Sequence, residues 1–445
     1  MGPLEALVAY AEREKLVPGI EYVTSTPERP LVEVHIKQDG RLDKLKVLEA
    51  GEQLLVPVDG QRSGQKAPAH LFRDKYKYTF GSLRERQASK CADLLQQYPK
   101  CRALRAWYNF LTSNHVTDEE TKGLYVPFYR KKSVFETVLE EAGGRLQHEF
   151  TPPPDAPKQH DVITGKLVVP TALMPPRVTA LGTTIDGGTF LSTNSVVHNM
   201  LWTTDRHQHL GIARGEYTNT MHVQGMRRLV DTQQFVAVGR KGTENSLWAF
   251  LWLDEPNGVE RDLLRSFIRP TFANGQYEGL KLEELEALDV PDCEARFLLV
   301  KEHKRLQLYG YHALPARELH ANLVQHGRRF AAHDGSLLTI QHMLRSLWQY
   351  KSPTLRSNKS YFEATSKWVN SETYRPLVAS IIDAAVSGAP YPYMLHQLVR
   401  SAYLKEDLGD VYSMDPEVYR KPAIKEAKRH KRLQERVLKG MSEDA

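Results

Sequence analysis

Apolar and polar positions along the chain repeat with two different periods. Residues 3–15 follow the period of an amphipathic helix that carries Glu5, Glu12 and Glu14. LVEVHIK (31–37) alternates as a half-buried strand does. QLLVPV (53–58) and KYKYTF (75–80) predict two more strands. In the last of these, Lys75 and Lys77 would share one face, and Tyr76 and Tyr78 the other. Residues 83–97 and 100–113 read as helices, with Leu104, Trp107, Phe110 and Leu111 on one side of the second. SVFETVLEEAGG (133–144) predicts another helix, closed by glycine.

The proline-rich TPPPDAPKQ (151–159) marks a connection. Short strands are expected at 166–169 and 189–192, with Gly187-Gly188 as a turn between them, whereas 193–230 is rich in Thr, Asn, His and Gly and has no clear period. SLWAFLWL (246–253) predicts a buried strand and GVERDLLRSFIR (258–269) a helix. RFLLV (296–300) and RLQLYGY (305–311) predict strands joined by a KEHK turn. ARELHANLVQHGRRF (316–330) predicts a helix with Leu319, Leu323 and Val324 on one side. Strand, helix, strand, strand, helix is the order of a ferredoxin-like half on an antiparallel sheet. That fold commonly binds RNA, but the RNA-binding octapeptide is absent, so 305–311 is not read as a base-stacking platform. From 336 to 404 the pattern is all-helical (336–350, 359–370, 374–387, 392–405), broken at Ser352-Pro353 and Gly388-Ala389-Pro390. The tail from 415 starts with Pro416 in a first turn and ends as a basic helix. The expected fold class is α+β. The expected domains are an N-terminal α+β domain (1–150), a central α+β domain (160–335) and a helical C-terminal region (336–445).

Composition narrows the class. The chain has 445 residues, 41% of them apolar and 26% charged, as in ordinary globular proteins. No apolar run reaches the roughly 18 residues of a membrane span, and the N-terminus lacks the basic-then-apolar layout of a signal peptide. Position 6 is Ala, which does not fit the myristoylation pattern. Cys91, Cys101 and Cys293 form no CxxC pair, so neither a zinc ribbon nor a disulfide framework is expected, and a reducing cytoplasm is.

Charge is distributed unevenly. Gln61–Arg105 holds eleven Lys/Arg against three Asp/Glu, and Glu417–Gly440 holds nine against three, which leaves the remainder net acidic although the whole chain is +6. Two basic stretches on an acidic body are either solvated helix faces or contacts for a polyanion. Rings interleaved in the first, beside a glycine-containing loop, turn the reading toward nucleic acid.

Catalytic motifs do not appear. There is no P-loop, GxSxG or HExxH, and Gly182 and Gly187-Gly188 have the wrong spacing for GxGxxG. Asp205, His207 and His209 are either a polar loop or a metal site. His198-Asn199 with His222 raises a metal-dependent nuclease, although no carboxylates stand in a supporting frame. Binding explains the basic stretches more directly. Lys and Arg neutralise phosphates, while Gln, Asn and Arg read base edges. The loop supplies Gln61, Arg62, Ser63, Gln65 and Lys66 around Gly64, followed by His70, Arg73, Lys75 and Lys77. Arg84, Arg86, Lys90, Arg102 and Arg105 could continue a phosphate track. Lys425, Lys428, Arg429, Lys431, Arg432 and Arg436 offer a second.

LLVP (54–57), then RSG, then KAPAHLF with Asp74, Tyr78 and Gly81, resembles the N-terminal region of the type I-C CRISPR Cascade large subunit. GTFLSTN (188–194) is similar to that family's small-Leu-Val-Ser-Phe-Asn stretch. GMRRLV (225–230) and LWAFLWLDEP (247–256) are similar to its helix and Val-Phe-Trp strand. RLQLYGYHALPARELHANLVQHGRRF (305–330) and GAPYPYMLHQLV (388–399) resemble its next strand and helix and its GTPYP-type turn, so the likeness is collinear from about residue 17 to 400. The chain departs from the family's PNFLWDN segment, with His70 and Phe72 in place of Asn and Trp and Lys75 in place of the second Asn.

The resemblance implies a non-catalytic DNA-recognition subunit of a prokaryotic cytoplasmic complex. It would read a short flanking motif, the PAM, in double-stranded target DNA. It would also help open the duplex for a guide crRNA complex and help recruit a helicase-nuclease effector. Implied partners are the CRISPR backbone subunits, the crRNA-end-capping subunit and a separate small subunit. No cofactor, metal or membrane is implied. Asn194, on the matching loop, is a further candidate for DNA contact. The alternatives are the nuclease and a stand-alone DNA- or RNA-binding accessory protein.

Overall fold

The structure is a computed structural model. It describes residues 1–17, 20–27, 30–57, 69–113, 123–143, 158–169, 215–238, 247–255, 257–268, 271–273, 276–278, 281–302, 306–331, 335–347, 371, 373–404 and 421–442. These divide into two units. One contains Met1–Tyr10 and the residues from Gly225 onward, and the other the described residues between Ala11 and Gln224.

In the N-terminal half the elements are α1 (Pro3–Arg13), β1 (Ile20–Thr24), β2 (Leu31–Ile36), β3 (Leu42–Val47), β4 (Gln53–Pro57), α2 (Tyr76–Thr79), α3 (Arg84–Gln97) and α4 (Arg102–Thr112). They continue with β5 (Leu124–Tyr129), β6 (Lys132–Ser133), α5 (Val134–Glu141), β7 (Gln159–His160), β8 (Leu167–Val168) and α6 (Glu216–Asp231). A mixed sheet runs β3-β2-β5-β6. Its inner pair, β2 and β5, is parallel, in register from Leu31↔Leu124 to Ile36↔Tyr129. β1 and β4 form a separate antiparallel ladder, Ile20↔Pro57 to Thr24↔Gln53. The expected apolar side of α4 is real: Leu104, Trp107, Phe110 and Leu111 are buried. Trp107 stacks on Phe110 with centroids 5.1 Å apart. Ser133 and Glu136 close a capping box at the start of α5.

The expected strand at 75–80 is instead the short helix α2. The sequence KYKYTF suits either period, and tertiary contacts decide between them. Tyr76 and Phe80, four residues apart, stack at 5.5 Å on one helix face. Both lie against Tyr125 of β5, at 6.0 and 5.4 Å. The Tyr rings therefore serve core packing.

Asp161, 2% exposed, joins the β7–β8 hairpin to the start of α6. Its carboxylate accepts from the N–H groups of Ile163 and Thr164 at 2.9 Å each, from Gly215 N–H at 2.7 Å, and from the Thr218 hydroxyl. Burial pushes its carboxyl up, but these bonds, led by Thr218, outweigh that and hold it below the ordinary carboxylate value.

The second unit adds β9 (Phe235–Ala237), β10 (Leu247–Leu253), α7 (Glu260–Phe267), β11 (Thr271–Ala273), β12 (Gln276–Glu278), α8 (Leu282–Glu286), β13 (Glu294–Glu302) and β14 (Leu306–Pro315). After these come α9 (Ala316–Phe330), α10 (Ile340–Ser346), α11 (Arg375–Ser387), α12 (Tyr393–Leu404) and α13 (Lys421–Ser442). Its sheet runs β14-β13-β10-β9, antiparallel throughout. A ferredoxin-like half would place β14 between β10 and β13. Here β10 pairs directly with β13, from Leu247↔Lys301 to Leu253↔Ala295, which corrects that expectation. The excursion through α7, β11, β12 and α8 leaves and re-enters at the same end of the sheet, so the strands form a meander.

One apolar cluster extends from Val238 and Leu247 through Leu319 and Leu323 to Ile381, Val399 and Val437. The expected boundary near 336 is therefore not seen. α13 docks through Val437, fully buried, through Gln434 Nε2 donating to Ser346 O at 3.2 Å, and through Gly440, where a Cβ would lie 2.4 Å from the Phe330 ring. The strand and helix elements together establish the α+β class.

Candidate nucleic-acid interface

The basic loop's central residues, Gln61, Arg62, Ser63, Gln65 and Lys66, lie outside the described residues, as does Asn194. The stems on either side are described. Val56 in β4 and Ala69 are both fully buried.

Asp74 organises the segment from Ala69 onward. Its backbone bridges Tyr125, accepting from Tyr125 N–H at 2.7 Å and donating to Tyr125 O at 3.1 Å. Its carboxylate, with the residue 0% exposed, accepts from His70 N–H at 2.8 Å and Lys75 N–H at 2.7 Å. From α3, Gln87 Nε2 donates to the carbonyls of His70 and Leu71 at 2.7 and 3.0 Å. Trp107 Nε1 also donates to Leu71 O, at 3.2 Å. Phe72 is buried and packs on Phe135 at 5.3 Å. Four secondary-structure elements, β5, α3, α4 and α5, thus pin the residues that follow the loop. Such a rigid base is what a binding loop needs if its side chains are to be placed reproducibly.

Beyond the clamp, Lys75 and Lys77 are exposed, while His70 and Arg73 are half-buried. Lys77 Nζ lies 5.1 Å over the Tyr78 ring. With α2 replacing a strand, the two lysines no longer share a pleated face, but both still reach solvent. On α3, Arg84, Arg86 and Lys90 are half-buried. On α4, Arg102 and Arg105 are exposed, and Arg105 Nη2 donates to Pro99 O at 2.7 Å.

The tail divides by role. Lys428, Arg429 and Arg432 are exposed on α13, and the Lys425 side chain lies outside the described residues. Lys431 is half-buried, its Nζ 4.9 Å over the Tyr403 ring. Arg436 Nη2 donates to Phe330 O at 2.8 Å and Ser336 O at 3.2 Å. Arg436 therefore anchors the helix to its own unit, a use that a run of basic residues cannot reveal.

Of the histidines behind the nuclease alternative, His198, His207 and His209 lie outside the described residues. His222 is fully buried within α6, with Nδ1 bonded to Thr218 O at 2.7 Å. Among the described residues no group of three or more His, Cys, Asp or Glu is placed to hold a metal, and no helix is long and apolar enough to cross a membrane.

The hairpin between β5 and β6, whose turn carries Arg130 and Lys131, lies outside the two basic stretches. The available signal was three consecutive cations, Arg130-Lys131-Lys132, directly after an apolar run.

No protein-family model matches the chain, and no curated protein matches it at a level that indicates kinship.

Proposed function

We propose that this protein is a non-catalytic, DNA-reading subunit of a guide-RNA-bearing complex of the type I CRISPR class, acting in a prokaryotic cytoplasm. The observation that carries the reading is the clamped base of the basic loop: Asp74, Gln87, Trp107 and Tyr125 fix the backbone, and Lys75 and Lys77 stand exposed immediately after it. In this reading Lys75, Lys77, Arg102 and Arg105 neutralise duplex phosphates. Gln61, Arg62, Ser63, Gln65 and Lys66 inspect the flanking motif, with Asn194 as a second contact. Lys428, Arg429 and Arg432 hold displaced strand or a neighbouring subunit. Protein reads the short motif and base pairing reads the rest. Its partners are the guide complex with its backbone and end-capping subunits, a separate small subunit and a helicase-nuclease.

The test is a gel shift of the assembled complex on duplex DNA. Lys75→Ala with Lys77→Ala weakens binding to every sequence and lowers the salt slope by about two. Arg62→Ala or Gln65→Ala changes motif preference instead. Unchanged binding in all of them removes the loop from the interface.

A further inference from the structure

The β5–β6 hairpin lies outside both basic stretches of the sequence. Tyr129 pairs with Lys132, so the turn is only two residues long, Arg130 and Lys131. Arg130 has φ +60°, while Lys131 does not enter the left-handed region. That combination of signs is the type II′ pattern, whose first position favours glycine because a Cβ is strained there. A long cation occupies it instead. The turn's stems are firm: all six residues of β5 are buried. Ser133 is buried too, and exchanges bonds with Glu136 at 3.1 and 3.0 Å.

The neighbouring charges are unequal in their partners. Lys132 Nζ lies 2.6 Å from Glu140. Elsewhere on this sheet and its turns, Lys37, Arg41 and Lys46 face carboxylates at 3.6, 2.7 and 3.7 Å. Among the described residues Arg130 and Lys131 have no such carboxylate. Arg130 lies with its guanidinium carbon 5.4 Å over the Tyr129 ring, which braces it.

We propose that Arg130 and Lys131 form a pre-organised contact for the sugar–phosphate backbone of nucleic acid; the inference rests on the DNA-binding reading above. Arg offers a planar fork matched to phosphate oxygens, and Lys a point charge beside it. A rigid tip loses little freedom on binding. The strained position is accounted for by where it places the guanidinium. β5 also carries Tyr125, the bridge partner of Asp74. At about 3.3 Å per residue, four residues of strand separate that bridge from Tyr129 by roughly 13 Å. The hairpin and the Lys75 clamp are thus fixed to one strand within the reach of a single nucleic-acid segment.

The test is a titration of the full-length chain with labelled duplex DNA over a range of salt, alongside thermal melts. Arg130→Gly relieves the backbone and removes the cation, so the two readouts separate: Tm rises or holds while affinity falls several-fold. Arg130→Gly with Lys131→Ala lowers the salt slope by about two. Arg130→Lys restores most of the affinity. If Arg130→Gly with Lys131→Ala binds as the parent does while Lys75→Ala with Lys77→Ala is weakened, this inference fails and the DNA reading stands. If neither the unsubstituted chain nor the assembled complex binds duplex, both fail. Loss of binding to phosphatidylserine vesicles without loss on DNA would assign the tip to lipid and overturn the inference.

Discussion

Replacing Asp74 by Ala tests whether one buried carboxylate sets the base of the basic loop. The side chain accepts two backbone N–H groups, His70 at 2.8 Å and Lys75 at 2.7 Å, from a fully buried position. A hydrogen bond to a charged group is worth about 1.5–3 kcal/mol net, and an unsatisfied buried donor costs a comparable amount. Lys75 is exposed, so water can replace part of its bond, whereas the half-buried His70 has less access. The expected loss is about 2–4 kcal/mol. Asp74→Asn keeps one acceptor and loses about half as much. The assay is urea unfolding of the full-length chain, with amide hydrogen exchange at His70 and Lys75 as the local readout. Gln87→Leu strips the neighbouring bonds to the His70 and Leu71 carbonyls. Because the two side chains hold one segment, the Asp74→Ala, Gln87→Leu double variant should deviate from additivity by about 0.5 kcal/mol or more. A midpoint for Asp74→Ala within about 0.5 kcal/mol of the parent, with unchanged exchange at His70, refutes the clamp.

Two predictions concern the other unit. Gly388 closes α11 with φ +72°, and a Cβ there would lie 2.7 Å from Asn322 Oδ1. Gly388→Ala therefore destabilises by about 2–3 kcal/mol, combining left-handed strain with a clash. Adding Asn322→Ala recovers the clash portion, less the Nδ2 bond to Val386 O at 3.0 Å. Burial pushes His326 down to about 4 and His342 down to about 3, so both are neutral when folded. The unfolded chain binds their protons below about pH 6.5, so their contribution is intact above that pH and is lost as pH falls toward about 4, by a few kcal/mol in all. Urea midpoints measured from pH 7 to 4 follow this decline, and His326→Gln flattens it. A midpoint independent of pH over that range would rule it out.

How far the clamp could be read from the sequence depends on the residue. Asp74 and Tyr78 stand out beside the basic loop, yet nothing local shows that Asp74 faces inward. Its burial depends on Tyr125, about fifty residues later in the chain. β5 itself was hidden because LYVPFY contains Pro127, which demotes a run as a strand, although tertiary pairing places it inside the sheet. The first half of α6 was hidden because polar side chains are buried there among the apolar Met221, Val223, Met226 and Leu229. Asn219 and His222 are fully buried there, and Gln224 donates to Val17 O at 3.1 Å. Hydrophobic periodicity cannot report burial achieved through distant carbonyls.

By itself the sequence determined the amphipathic helices and the strongly apolar strand β10, because their burial pattern repeats within a few residues. It also determined where positive charge concentrates. Only the tertiary structure decided that KYKYTF coils, that β10 pairs with β13, and that Arg436 serves its own unit while Arg130 faces outward. Each of those choices depends on partners far away in the chain, and local periodicity contains no term for them.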